Sequence, residues 1–301
     1  MKKRRSLLAV VLTICMVLTC SAFPTYAASG NYLKVQVTQN YADAQQVLKL
    51  INKERSKRGL KKLKLDQKLT KSATKRAAEL IVYIPEGSPH RRPNGKLAKS
   101  INKKISYECC AEGYTSPKSV MSGWMHSKPH KRGILLKNAR SVGIGCVISD
   151  SGDKYWTLEF SSSKAKKKET RTSKVTSTYK IFAKAKYLKK SKFEFYLIGN
   201  AYTDDGEMPL LYVGEPLNAR VFFTNNFHFT TALRGADFIW KSSNPAVATV
   251  DAYGRVTPKA AGTFTITAKM KDRLGYTFTH KAKVEDSYSD DDWDDWDDWD
   301  V

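Results

Sequence analysis

The run Val142-Gly143-Ile144-Gly145-Cys146-Val147-Ile148, followed after Ser149–Asp153 by Tyr155-Trp156-Thr157-Leu158-Glu159-Phe160, decides the fold class. Val142, Ile144, Cys146 and Ile148 alternate with Gly143, Gly145 and Val147, and Trp156, Leu158 and Phe160 alternate with Tyr155, Thr157 and Glu159. Successive side chains of an extended chain point to opposite faces, so both runs read as strands of an antiparallel pair. Upstream, the pattern has the helical period instead. Ala44, Val47, Leu48 and Ile51 share one helical face, with Gly59 placed to end the helix. Asp66 is placed to cap a second helix carrying Leu69, Ala73, Ala77, Leu80 and Ile84, and Ser116-Pro117 starts a third carrying Val120, Met121, Trp124 and Met125. Helices around a short antiparallel sheet predict an α+β layered domain over residues 41–162.

Beyond residue 162 the composition changes. Residues 164–192 hold twelve Lys or Arg and one acid, Glu169, which reads as a cationic connector over 163–192, although Lys180-Ile181-Phe182-Ala183-Lys184 alternates like a strand. From Phe193 to Glu285 every strong pattern is strand-like and punctuated by glycine, which predicts an all-β sandwich with Trp240 in its core. Residues 286–301 form an acidic tail with tryptophan at 293, 296 and 299, and such a run is expected to be disordered.

The chain has 301 residues, 41% of them hydrophobic, which excludes wholesale disorder and leaves room for two domains. Its net charge of +23 understates the body, because Glu285 to Asp300 hold ten acids with no Lys or Arg among them. Residues 28–284 carry 48 of the 52 basic and 19 of the 29 acidic groups, a net +29. Such a body attracts polyanions.

Lys2-Lys3-Arg4-Arg5, the apolar run Leu7–Leu18 and Thr25-Tyr26-Ala27 have the order of an export signal cut after Ala27. The run is too short to span a bilayer, so the mature chain is expected to be secreted, not transmembrane, and cell-wall associated in a Gram-positive bacterium. Export argues against a specific nucleic-acid partner and permits disulfides. Cys109, Cys110 and Cys146 remain, and adjacent residues of an extended strand point oppositely. A bridge from Cys110 or from Cys109 to Cys146 is therefore one expectation, and three buried thiols the other.

Three polar residues stand out: His90 in the loop His90-Arg91-Arg92-Pro93-Asn94-Gly95, Glu108 before the cysteine pair, and His130 after the third helix. His126 lies four residues before His130, but Pro129 separates them.

Leu50-Ile51-Asn52-Lys53-Glu54-Arg55, Arg76-Ala77-Ala78-Glu79-Leu80, His90 to Gly95, Gly123-Trp124-Met125-His126-Ser127-Lys128-Pro129-His130, Val142-Gly143-Ile144-Gly145 and Trp156-Thr157-Leu158-Glu159-Phe160 together resemble a bacterial CAP domain, the superfamily of cysteine-rich secretory, antigen 5 and pathogenesis-related proteins. The resemblance implies an α-β-α sandwich with a cleft at His90, Glu108 and His130, and a divalent cation such as zinc held with His90 and His130 as ligands. Tyr107, Cys109 and Gly133 depart from the family's motifs, and only Glu112 and Glu159 are candidates for a second cleft acid. Residues 208–284, with Trp240-Lys241-Ser242-Ser243-Asn244-Pro245 and Ala261-Gly262-Thr263-Phe264-Thr265-Ile266, resemble group 2 bacterial immunoglobulin-like domains. The expected function is binding or adhesion to lipid, glycan or an anionic cell-wall polymer. A metal-dependent hydrolase is the alternative.

Overall fold

The computed structural model describes residues 31–87, 90–199 and 208–286. The export signal and the acidic tail from residue 287 lie outside the described residues.

The first domain is built from β1 (Tyr32–Asn40), α1 (Tyr41–Ser56), β2 (Lys64–Leu65), α2 (Gln67–Leu80), β3 (Tyr107–Glu112), α3 (Pro117–His126), α4 (Lys128–Ile134), β4 (Ser141–Ile148), β5 (Lys154–Ser161) and β6 (Lys174–Phe182). The sheet runs β3-β5-β4-β1-β6, with β2 added in parallel to β4. Helices α1, α3 and α4 pack with Val142, Ile144, Cys146, Trp156, Leu158 and Phe160 on one face, and α2 covers the other. The result is the expected α-β-α sandwich.

Local chemistry sets the helix starts as read from the sequence. The Asp66 carboxylate accepts from Leu69 N at 2.9 Å, and Ser116 and Ser119 form a capping box ahead of Pro117. Gly143 and Gly145 allow α2 to approach: a Cβ on Gly145 would run into the Ala73 carbonyl, and one on Gly143 into the Leu69 carbonyl. The buried Arg55 ties α1 to the end of α4, its Nη1 donating to the Ile134 and Leu136 carbonyls at 2.9 Å each.

Two expectations need correction. The segment 163–192 is more than a connector: β6 pairs with all nine residues of β1, from Tyr32↔Phe182 to Asn40↔Lys174. The domain therefore begins before residue 41 and ends after 162. No bridge forms among the described cysteines, and Cys109, Cys110 and Cys146 are free and buried. Cys109 does share the apolar face of Cys146, but β5 lies between their strands. Two strand spacings and a two-residue offset in register put them about 12 Å apart, beyond the reach of a disulfide.

The second domain comprises β7 (Phe193–Ile198), β8 (Leu210–Tyr212), β9 (Leu217–Thr224), β10 (Thr230–Ala232), β11 (Phe238–Ser242), β12 (Ala248–Val250), β13 (Arg255–Pro258), β14 (Gly262–Met270) and β15 (Thr277–Glu285). One sheet runs β10-β9-β13-β12 with β7 on β9, the other β11-β14-β15-β8. Trp240 is only partly buried. It packs against both apolar clusters of this domain and donates to the Gly235 carbonyl at 2.8 Å. The domains share a core, in which Leu33, Val35, Val37, Ile181 and Ala183 join Phe193, Phe223, Phe238 and Phe278. Lys34 of β1 pairs with Asp237 at 2.9 Å across the junction.

Candidate functional site

Helix α2 presents Arg76 and Glu79, three residues apart on one face, toward the end of the sheet that holds Glu108. Arg76 is fully buried, and its Nε donates to both Glu108 oxygens at 3.3 and 3.2 Å. Burial alone would raise the Glu108 carboxyl, but the Arg76 charge and the His90 hydrogen bond outweigh it and hold the group below the usual carboxylate range.

His90 reaches this carboxylate from the loop after α2, with its Nδ1 3.0 Å from Glu108 Oε1. The loop is fastened at both ends of a tight turn. Gly95, at φ +85°, donates to the Arg92 carbonyl at 2.8 Å. The Arg92 guanidinium is buried and bonds both Glu79 oxygens, while Arg76 donates to the Arg91 carbonyl at 3.2 Å. Neither Arg92 nor Glu79 stood out in the sequence. The i, i+3 placement of Arg76 and Glu79 was the available signal.

Cys110 completes the cluster. Glu108 and Cys110 are two apart on β3, so their side chains share a face. The Cys110 thiol donates to Glu108 Oε1 at 3.3 Å and lies 3.8 Å from His90 Nδ1. Burial and the neighbouring Glu108 charge push this thiol up, so it is a neutral donor rather than an activated nucleophile. Strand alternation would have found Cys110 as a site residue.

His130 sits in α4, half-buried, where burial and the charge of His90 lower its pKa and keep the imidazole neutral. Pro129 lies in the first turn of α4, which separates His130 from His126; the latter bonds Ser122 of its own helix, the carbonyl at 2.8 Å and the hydroxyl at 3.5 Å. The three departures from the family's motifs touch one another. A Cβ on Gly133 would lie 2.5 Å from the Tyr107 ring and 3.0 Å from Cys109 Sγ. The Tyr107 hydroxyl donates to the Pro129 carbonyl at 2.9 Å. The bulk gained at 107 and 109 occupies the room that glycine leaves at 133.

The two candidate acids separate. Glu159 faces Glu108 directly across β3 and β5 and is fully buried, whereas Glu112 pairs with Tyr155 at the far end of the strand. Burial pushes Glu159 well above the carboxylate range, and Ser72 is hydrogen-bonded to it.

A divalent cation at His90, Glu108 and His130 is what the resemblance implied. Among the described residues, the donor atoms that converge within 4.8 Å of one another belong to His90, Glu108 and Cys110. An imidazole, a carboxylate and a thiol suit a zinc-class ion, so the residues fit the group with Cys110 in the set.

Residues 48–160 match the cysteine-rich secretory protein family, CAP, and residues 230–272, within the stretch read as a bacterial immunoglobulin-like module, match the intimin immunoglobulin-like domain. The uncharacterized protein YkwD of Bacillus subtilis strain 168 is 33% identical over 146 residues, which cover 47% of this chain and 56% of that protein. Among solved structures, an outer surface protein from Borrelia burgdorferi is 19% identical with a TM-score of 0.36, covering 46% of this chain and 99% of that one. An extracellular SCP-domain protein from Bacillus anthracis is 22% identical with a TM-score of 0.32, covering 39% of each chain. The chain spans about half the length of the curated relative it matches, and its two matched regions fall in order on the two domains, the CAP match on the first and the intimin-like immunoglobulin match on the second.

Proposed function

We propose that this is an extracellular binding protein whose CAP domain captures an anionic polymer of the cell wall on a basic face. The observation that carries the reading is the docking of the basic segment beside β2 and the start of α2. Gln67 N donates to the Lys167 carbonyl and Glu169 N to the Leu65 carbonyl, each at 2.9 Å, and Lys166 N donates to Asp66 Oδ2 at 3.0 Å. This seats exposed Lys166, Lys167 and Lys168 next to exposed Lys64 and Lys68. Both nearby acids are buried and engaged, Asp66 as the helix cap and Glu169 with Arg171 at 2.6 Å. An uncompensated cluster of ammonium groups on a folded platform binds phosphate or carboxylate polymers through additive, salt-screened attraction.

The test is retention on a purified polyanionic wall polymer against a neutral glycan. The parent chain is expected to bind the polyanion at about 0.05 M salt and to release it by about 0.5 M. Lys166→Glu/Lys167→Glu/Lys168→Glu is expected to abolish retention without loss of fold. Full retention by that variant would overturn the proposal.

A further inference from the structure

We infer that the outer face of the sheet β11-β14-β15-β8 is the docking surface for the acidic stretch 287–301 of this same chain, which folds back over the lysines of the immunoglobulin-like domain. This face belongs to the second domain, whereas the basic platform beside α2 belongs to the first, so the inference goes beyond the polymer-binding reading.

Strand alternation builds the face. Along β14 it buries Phe264, Ile266 and Ala268 and turns Thr263, Thr265, Thr267 and Lys269 outward. The register then sets lysines on both sides of this row. Lys283 stands opposite Thr263 and Lys281 opposite Thr265 on β15, and Lys241 stands opposite Thr267 on β11. All four lysines of the face, Lys241, Lys269, Lys281 and Lys283, are exposed. Among the described residues of these four strands the one acid is Glu285, at the rim, and it holds Lys283 at 2.6 Å. Lys241, Lys269 and Lys281 form no ion pair among the described residues. The result is a shallow lane floored by threonine and walled by unneutralised ammonium groups, with Ile239, 46% exposed, in register with Lys269 at its end.

Place, length and chemistry select residues 287–301 as the occupant. The chain leaves β15 at Glu285, and Val284 stands in register with Gly262, so the stretch begins beside the Thr263 end of the lane. Residues 287–289 reach about 10 Å, twice the strand spacing of about 4.8 Å that they must cross. Thr263 to Lys269 and Trp293 to Trp299 are each six residues apart, about 20 Å in extended chain. Asp290 to Asp300 hold eight aspartates and three tryptophans with no Lys or Arg. In a chain with three residues per turn, a period of three keeps the indoles on one side and the aspartates on the other two. The indoles then lie on the lane, over threonine methyls and lysine stems and in cation–π contact with the ammonium groups, while the aspartates reach the lysines of both walls. In this arrangement the stretch covers the cationic face of the second domain and leaves an external polyanion to the platform on the first.

Zero-length carbodiimide coupling of the full chain, followed by peptide mapping, reads the contact directly. The expected amide links join aspartates of 290–300 to Lys241, Lys269, Lys281 or Lys283, persist on dilution and are lost at about 0.5 M salt. No links to these lysines, links that fall instead on Lys166–Lys168, or links confined to a dimer that disappears on dilution would overturn docking within one chain. Acrylamide quenching of tryptophan fluorescence reads the indoles independently, because Trp124 and Trp156 are buried and Trp240 is partly so. Lys241→Glu/Lys269→Glu/Lys281→Glu changes only exposed side chains, so it keeps the fold, and at low salt it is expected to raise quenching to the level that the parent reaches at about 0.5 M salt. Equal quenching in the parent and this variant at low salt would also overturn the inference. Lys166→Glu/Lys167→Glu/Lys168→Glu is expected to leave quenching unchanged, so failure of the polymer reading and failure of this docking are told apart; a rise there would put the stretch on the first domain and sink the inference.

Discussion

Glu108 and Glu159 stand directly opposite each other across β3 and β5, both buried, yet their surroundings shift the two carboxyls in opposite directions. Glu108 has the Arg76 guanidinium at 3.2 Å and is held as a carboxylate. Glu159 makes no direct ion pair among the described residues, and Arg76 acts on it only from a distance. Its Oε1 has no hydrogen-bond partner there, and burial with the facing Glu108 charge pushes it well above the usual range. One arginine cannot neutralise two facing carboxylates in a dry interior, so the second is pushed toward its protonated form.

Glu159→Gln follows from this asymmetry. A raised pKa means the folded state binds more protons than the unfolded chain once pH exceeds the ordinary carboxylate value. Stability therefore falls as pH rises through that window, by up to about 1.4 kcal/mol per pH unit, until the group ionises in the fold. Glutamine keeps the shape and the Ser72 contact without that linkage. The variant is expected to match the parent near pH 4 and to exceed its stability at pH 8, as read from urea midpoints. Equal midpoints at both pH values would show that Glu159 is ionised in the fold.

Arg76→Met removes the only arginine or lysine bonded to Glu108 among the described residues. It leaves a buried charge unpaired and is expected to cost about 3–5 kcal/mol. Adding Glu108→Gln to it should recover a large part of the loss, because no uncompensated charge then remains. In the parent, the depressed Glu108 pKa contributes stability above the ordinary carboxylate value that is lost as pH falls through the folded value, and Arg76→Met should flatten that acid limb. A double variant no more stable than Arg76→Met alone would refute the pairing.

Asn226 of the second domain pairs with the Ile84 backbone in the manner of a strand, Oδ1 accepting from its N–H at 2.9 Å and Nδ2 donating to its carbonyl at 3.0 Å. Asn226→Ala strands both groups of a residue only 5% exposed, on the segment that leads to His90. The expected loss is about 2–4 kcal/mol, measured by denaturant unfolding of the full chain. A midpoint equal to the parent's would mean that the immunoglobulin-like domain does not hold this segment.

Much of the architecture is legible in local patterns. Asp66 and Ser116 cap their helices because a short polar side chain before an amphipathic run has few other uses, and β4 and β5 follow from strict alternation. The edge strand was only half legible. β6 alternates exposed with half-buried residues, carries Lys174 and Lys180 and lies in a lysine-rich stretch, so its pattern is that of a surface segment, and only pairing with β1 makes it a strand. His90, Glu108 and His130 could be read from motif spacing; alternation from Glu108 points to Cys110 and the i, i+3 spacing pairs Arg76 with Glu79, while Arg92 carried no such signal. Their roles depend on which face of α2 meets which face of β3.

The sequence by itself determined two layered domains, the cationic body and the loop, strand and helix that carry His90, Glu108 and His130, because periodicity, capping and charge are properties of neighbouring residues. Only the tertiary structure decided that the cysteines stay apart, that Cys110 joins His90 on one carboxylate, and that Lys64 and Lys68 meet Lys166–Lys168. The physical reason is the same in each case. Strand order and helix docking set distances between residues from 2 to about 100 positions apart, and hydrogen bonding, charge neutralisation and metal coordination act through those distances alone.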